Sequence, residues 1–123
     1  MGAGLHYSSL NANGGPMSDP LFVLTTMPDA EKAAALAGGL VQQGLAACVN
    51  ILPGVTSVYA WRGNIERDTE VLMLVKTRQQ RYAALEAAIR EQHPYELPEL
   101  IAVPITTGLP EYLAWIDQCT DSP

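Results

Sequence analysis

The stretch from Gly44 to Lys76 narrows the possible folds more than any other part of this chain. Two long extended runs, Leu45 to Trp61 and Ile65 to Lys76, are separated only by Arg62-Gly63-Asn64. Glycine with a following asparagine supplies the positive φ of a tight hairpin reversal, so the two runs read as one antiparallel ribbon. Each exceeds the usual strand of about five to six residues. A strand of about fifteen residues reaches roughly 50 Å at about 3.3 Å per residue. A small domain cannot flank such a ribbon along its whole length. The overhang leaves open backbone edges that something must cover.

Side-chain alternation sharpens this. In the first run Leu45, Ala47, Val49 and Ile51 share one side, and Ala46, Cys48, Asn50 and Leu52 share the other. On the return run Val71, Met73 and Val75 alternate with Leu72 and Leu74, while Glu66, Arg67, Asp68 and Glu70 are confined to the outer end. A half-exposed antiparallel sheet shows one polar face. Here polarity is confined to the tip, so the base of the ribbon is expected to be buried on both sides. Pro53-Gly54 interrupts the first run; proline removes a ladder donor, and a bulge is expected there.

The elements around the hairpin follow from period and punctuation. Residues 1–19 are rich in Gly, Asn and Ser and read as a disordered tail, without the basic start and apolar core of a signal peptide. A folded domain is expected over 20–120. Leu21 to Leu24 is a short strand. A helix follows from about Asp29, with Ala33, Leu36, Ala37, Leu40 and Val41 on one face, and Gly44 closes it. Thr77 and Gln80 have the spacing of a capping box for a second helix. Its buried stripe is Tyr82, Leu85, Ala88 and Ile89, and Arg81, Glu86 and Arg90 face water. His93-Pro94 ends it. Leu100 to Ile105 is a fourth strand, and Pro110 opens a last helix striped by Tyr112, Trp115, Ile116 and Cys119. The order β-α-β-β-α-β plus a terminal helix is an α+β, ferredoxin-like sandwich. Two helices cover one sheet face; self-association is the simplest cover for the other.

Composition excludes several classes. The chain has 123 residues, 48% of them hydrophobic, enough for one domain with a core. A net charge of −6, with only seven Lys and Arg, argues against nucleic acid as a partner. No apolar run approaches the roughly 20 residues of a membrane span, so no membrane partner is expected. Two cysteines, Cys48 and Cys119, lack zinc-site spacing. They read as small apolar side chains in a reducing, cytoplasmic compartment. Serine, histidine and carboxylate form no nucleophile pattern, and there is no GxGxxG or P-loop. The chain is not expected to be an enzyme.

Three segments carry a resemblance. Gly44-Leu45-Ala46-Ala47-Cys48-Val49-Asn50, Pro53-Gly54-Val55-Thr56-Ser57-Val58-Tyr59 and His93-Pro94-Tyr95-Glu96-Leu97-Pro98-Glu99 resemble the CutA family of divalent-cation tolerance proteins. The likeness runs from about Leu21 to Cys119 and includes Tyr112-Leu113-Ala114-Trp115. It implies a ferredoxin-like homotrimer whose long hairpins pair across subunits, acting in the response to or tolerance of divalent metal ions. Family members linked to copper use a cysteine at the end of the first strand and a His-His pair before the His-Pro-Tyr segment. Here those positions hold Thr25 and Gln92-His93, a poor set for soft copper(I).

The candidate site residues follow from these two sources. His93 is the leading metal contact, because imidazole binds copper and zinc well; the bland reading is a helix-terminal histidine favoured by the dipole. Glu99 is the oxygen candidate, or else a strand-start surface charge. Cys48 matches the family cysteine, but inside an apolar strand its packing role outweighs a ligand role. No cofactor is obligatory; copper or zinc is the candidate cation. Tyr59, Trp61, Lys76 and Tyr95 are candidates to line a cleft between subunits, against the plainer readings of interface anchor, solvated lysine and loop anchor. The competing reading, from a different class, is a trimeric regulator similar to PII-type signalling proteins. There Lys76 and His93 would hold a small anionic effector in the intersubunit cleft.

Overall fold

In the computed structural model, which describes residues 19–121, strand β1 (Pro20–Met27) leads into helix α1 (Ala30–Gln42). The hairpin follows as β2 (Cys48–Trp61) and β3 (Asn64–Arg78), then α2 (Gln79–Gln92), β4 (Leu100–Pro104) and α3 (Pro110–Cys119). The strands form one four-stranded antiparallel sheet in the order β2-β3-β1-β4. The expected tail 1–19 lies outside the described residues except for Asp19, whose carbonyl accepts from the Gln79 amide at 2.7 Å. No helix among the described residues is long and apolar enough to cross a membrane.

The core sits between the sheet and α1 and α2. Val23, Met27, Val71, Met73 and Val75 meet Ala33, Leu36 and Leu40 of α1 and Leu85 and Ile89 of α2. These positions follow period 2 on the strands and 3.6 on the helices, which is why both patterns were readable. Asp29 caps α1 by accepting from the Lys32 amide at 2.8 Å, and that bond holds its carboxyl below the usual carboxylate range. Gly44 takes φ 72, the left-handed turn that ends the helix. The bulge falls between Leu52 and Val55, at Pro53-Gly54.

Helix α3 lies on the other face, fastened chiefly at its end. Arg78 donates to the Thr120 carbonyl at 2.7 and 3.1 Å and to Asp117 at 3.2 Å, and Arg81 reaches the same carbonyl at 2.7 Å. Two guanidinium groups thus meet one carbonyl, that of the C-cap residue Thr120, which the helix end leaves without an intrahelical amide partner.

Several local expectations are corrected. The capping box is absent: Arg78 is the N-cap of α2 without a side-chain bond. The Thr77 hydroxyl instead donates to the Leu45 carbonyl at 2.8 Å, tying the hairpin base to the start of α2. At the tip Arg62 (φ 52) and Gly63 (φ 84) take the left-handed positions, and Asn64 does not. Arg81 binds α3 and is half-buried, so it does not simply face water. On α3 only Ile116 of the predicted stripe is buried; Tyr112 and Trp115 stack at 5.5 Å with 40% exposure each, and Cys119 is exposed. On α1, Val41 is 45% exposed. Within one chain the ribbon's base is better buried on the α1/α2 side, where Val71, Met73 and Val75 lie in the core and Val49 and Ile51 pack half-buried against it. Leu72 and Leu74 on the other side are half-buried, and Leu52 is exposed.

Candidate functional site

The loop after α2 is built by its prolines. Because Pro94 follows, His93 takes extended backbone (φ −79, ψ 133) and ends the helix. That turn lays its ring against the end of β1, with Nε2 2.6 Å from the Thr26 carbonyl oxygen. A carbonyl only accepts, so Nε2 carries the proton. Nδ1 then accepts from the Tyr95 amide at 3.1 Å. The bonds describe a neutral imidazole with both nitrogens engaged.

Tyr95 continues the chain of contacts. Its ring lies 4.9 Å from that of His93, and its hydroxyl donates to Glu70 Oε2 at 2.8 Å. Burial, and then the bond to Glu70, push this phenol's pKa up. Glu70 is only 6% exposed, although its side chain ends in a carboxyl group. Alternation puts Glu66, Asp68 and Glu70 on one face of β3, and register sets Tyr59 opposite Glu66. Tyr59 donates to Asp68; that bond is the main reason its phenol is pushed up to about 12. At the tip Arg62 binds Glu96 at 3.0 Å and stacks over Trp61 at 5.2 Å. Tyr59, Trp61 and Tyr95 therefore belong to one region, the outer hairpin with the loop folded against it.

Lys76 and Cys48 belong to another. They are register partners at the base of the hairpin. Lys76 Nζ donates to the Asn50 carboxamide oxygen and lies 4.0 Å from Cys48 Sγ. Tyr112 of α3 closes this group, its pKa raised by burial and then by Cys48. His93 contacts Thr26, which pairs with Leu72, whereas Cys48 pairs with Lys76. Four residues of strand, about 13 Å, separate the two levels. Glu99 is exposed just before β4. Among the described residues no three His, Cys, Asp or Glu side chains are grouped to hold a metal ion. One chain does not bring His93, Cys48 and Glu99 together.

Sequence reasoning missed Glu70, Asp68, Asn50 and Glu96. Glu70 had a readable signal: it continues the row of Leu72 and Leu74, and a carboxylate at the end of an apolar row needs a donor. Asp68 and Asn50 needed the register, and Glu96 needed the fold of the loop against the hairpin tip.

The family model described as CutA1 divalent ion tolerance protein matches residues 21–119. The Divalent-cation tolerance protein CutA of Thermus thermophilus is 46% identical over 98 residues, covering 80% of this chain and 95% of that protein. Protein CutA of Mus musculus is 46% identical over 97 residues, covering 79% of this chain. The chain spans only 55% of the mouse protein's length. Among solved structures, CutA from Xylella fastidiosa superposes with a TM-score of 0.82 at 44% identity, covering 85% of this chain and 100% of that one.

Proposed function

This chain belongs to the CutA1 divalent ion tolerance family, and from that premise we propose that it works without catalysis, as a homotrimer in the response to divalent metal ions. The observation that carries the reading is the outer half of the hairpin. The last pairing of β1 with β3 is Met27 with Val71. Beyond it, among the described residues, Val55–Trp61 and Asn64–Glu70 pair only with each other. Val58 is 57% and Ile65 77% exposed there. An isolated two-stranded ribbon is marginal in water, and open edges invite a partner. Hairpins of sister subunits are the occupants that match in length and polarity. The strand order, with α1 and α2 on one face, supports the ferredoxin-like layout of each subunit.

Light scattering at low micromolar concentration tests this. A mass three times that of the chain is expected, and a monomer would remove the reading.

Copper or zinc binding is the finer part of the proposal. A cation can take His93 only by displacing one of its two hydrogen bonds, and among the described residues no three His, Cys, Asp or Glu side chains are grouped to hold it. Binding is therefore weak and drawn from more than one subunit. The two free cysteines support a reducing, cytoplasmic compartment. The geometry gives less to the anion-binding alternative: Lys76 is engaged by Asn50, and His93 is neutral in its bonds.

A further inference from the structure

Glu70 stands where the ribbon leaves the sheet. On its inner side Val71 makes the last pair with β1. Across β2, Glu70 pairs with Val55, the first partner beyond the bulge. Among the described residues a third strand flanks the hairpin on the inner side of this level and not on the outer side. A continuous path of hydrogen bonds ends here. The Thr26 carbonyl accepts from His93 Nε2, His93 Nδ1 accepts from the Tyr95 amide, and the Tyr95 hydroxyl donates to Glu70. The path starts one residue before the end of β1 and closes on the hinge of β3.

From this geometry we propose that His93, Tyr95 and Glu70 form a brace that fixes the direction in which the hairpin leaves the sheet. Tyr95 and Glu70 are positioning residues for assembly, and the role of His93 is to aim the loop that carries Tyr95. Three features support this. The brace spans the one level at which β3 loses its second neighbour. Glu70 is only 6% exposed, so its carboxylate has little access to bulk water and gains a hydrogen bond from the phenol. The two prolines around the loop, Pro94 and Pro98, limit the backbone freedom that would otherwise loosen it. A ribbon of this length turns a small angular error at the hinge into several ångströms at the tip, too much for strand pairing with a sister subunit. For its consequence in assembly the inference rests on the trimer proposed above; the brace itself does not.

The test is hydrogen–deuterium exchange on the full chain, comparing wild type with Tyr95→Phe, Glu70→Ala and Glu70→Gln, alongside light scattering of each. Tyr95→Phe removes one hydroxyl and keeps the ring, so folding is expected to survive. Exchange of amides in 55–70 should rise about tenfold relative to those of β1 in Tyr95→Phe and Glu70→Ala. Glu70→Gln should stay near wild type, because its amide oxygen still accepts from the phenol. The concentration at which the assembly dissociates should rise in the first two variants only. Unchanged exchange in Tyr95→Phe overturns the brace, as does a rise spread evenly over the core. Glu70→Gln behaving like Glu70→Ala also overturns it, since charge and not the hydrogen bond would then matter. A wild type that is monomeric removes the trimer, while the exchange data still decide the brace.

Discussion

Along β3, Val71, Met73 and Val75 are 6%, 0% and 0% exposed, while Ile65 near the tip of the same strand is 77% exposed. The inner half has neighbours on both edges and two helices above it; among the described residues the outer half has one neighbouring strand and a loop. The two halves also use different chemistry. Inside, apolar side chains interlock with α1 and α2. Outside, phenols donate to carboxylates, and one exposed ion pair joins the tip to the loop. The inner half is organised by burial within one chain. The outer half presents polar bonds, exposed Val58 and Ile65, and an unpaired edge, which suits a surface completed by another subunit.

The sharpest way to separate the halves is to cut one side chain in each. Met73→Ala removes a side chain with no exposure from the centre of the core and should cost about 2 to 5 kcal/mol. Ile65→Ala should cost less than about 0.5 kcal/mol within the subunit, with its effect confined to assembly. Urea unfolding at fixed protein concentration checks both. Equal losses would erase the distinction.

The inner half was legible in the sequence because periodicity reports burial directly. Val71, Met73 and Val75, and Leu36 and Leu40, could be assigned to a core without knowing what they touched. Gly44 and Pro53-Gly54 were legible for a similar reason, since backbone geometry restricts which residues fit there. Features that depend on distant partners were not. Thr77 has the spacing of a helix cap, but the fold brings the Leu45 carbonyl beside it, and its hydroxyl donates there. Cys119 has helical spacing with Ile116, yet Arg78 and Arg81 anchor α3 by its last carbonyl and leave that cysteine outside. The candidate site was half legible. Tyr95 stands out in its proline-bounded loop and Glu70 at the end of an apolar row, but their bond depends on how the loop folds against β3, which local pattern does not give.

A smaller loss should appear at alkaline pH, and it belongs mainly to the outer half. The Tyr59 and Tyr95 phenols both sit above their ordinary value of 10.0 in the folded chain. The unfolded chain therefore releases these protons first. Below about pH 10 their contribution is complete; above it the unfolded state binds fewer protons, and stability falls as pH rises. For Tyr59 the window closes at about 12. Urea midpoints from about pH 8 to 11.5 should decline less steeply in Tyr59→Phe/Tyr95→Phe than in wild type. A residual slope is expected from Tyr82 and Tyr112 in the inner half, whose phenols are also raised, first by burial. Identical slopes would mean that the two outer phenols carry no proton linkage.

Thr25 offers a gain in the inner half. It is fully buried on the core side of β1, and its Oγ1 has no hydrogen-bond partner among the described residues. A buried hydroxyl without a partner keeps its desolvation cost, about 1 to 3 kcal/mol. Thr25→Val keeps the branched shape and removes that cost, so stability should rise by about 1 kcal/mol. The check is the melting temperature at fixed concentration. A fall would show that the hydroxyl is satisfied in solution.

The smallest effect is expected at the tip, where two terms oppose each other at Arg62. Its φ of 52 places a side chain with a Cβ in the left-handed region, a strain of about 1 kcal/mol that asparagine largely avoids. Asparagine followed by glycine is also the preferred pair for a two-residue hairpin turn. Against this, Arg62→Asn removes the bond to Glu96, whose partners are 69% and 73% exposed. An ion pair so well solvated contributes about 0.5 kcal/mol or less, and the stacking on Trp61 at an exposed site adds a similar amount. The two sides nearly cancel, leaving a change within about 0.5 kcal/mol. Salt separates the terms: screening weakens the ion pair in wild type but leaves the backbone preference untouched. Arg62→Asn should therefore gain on wild type as salt rises from about 0.05 to 1 M, measured by urea midpoints. A large loss at every salt concentration would mean that the Arg62–Glu96 contact holds the tip against the loop far more firmly than its exposure suggests, and that the outer half is ordered before any partner arrives.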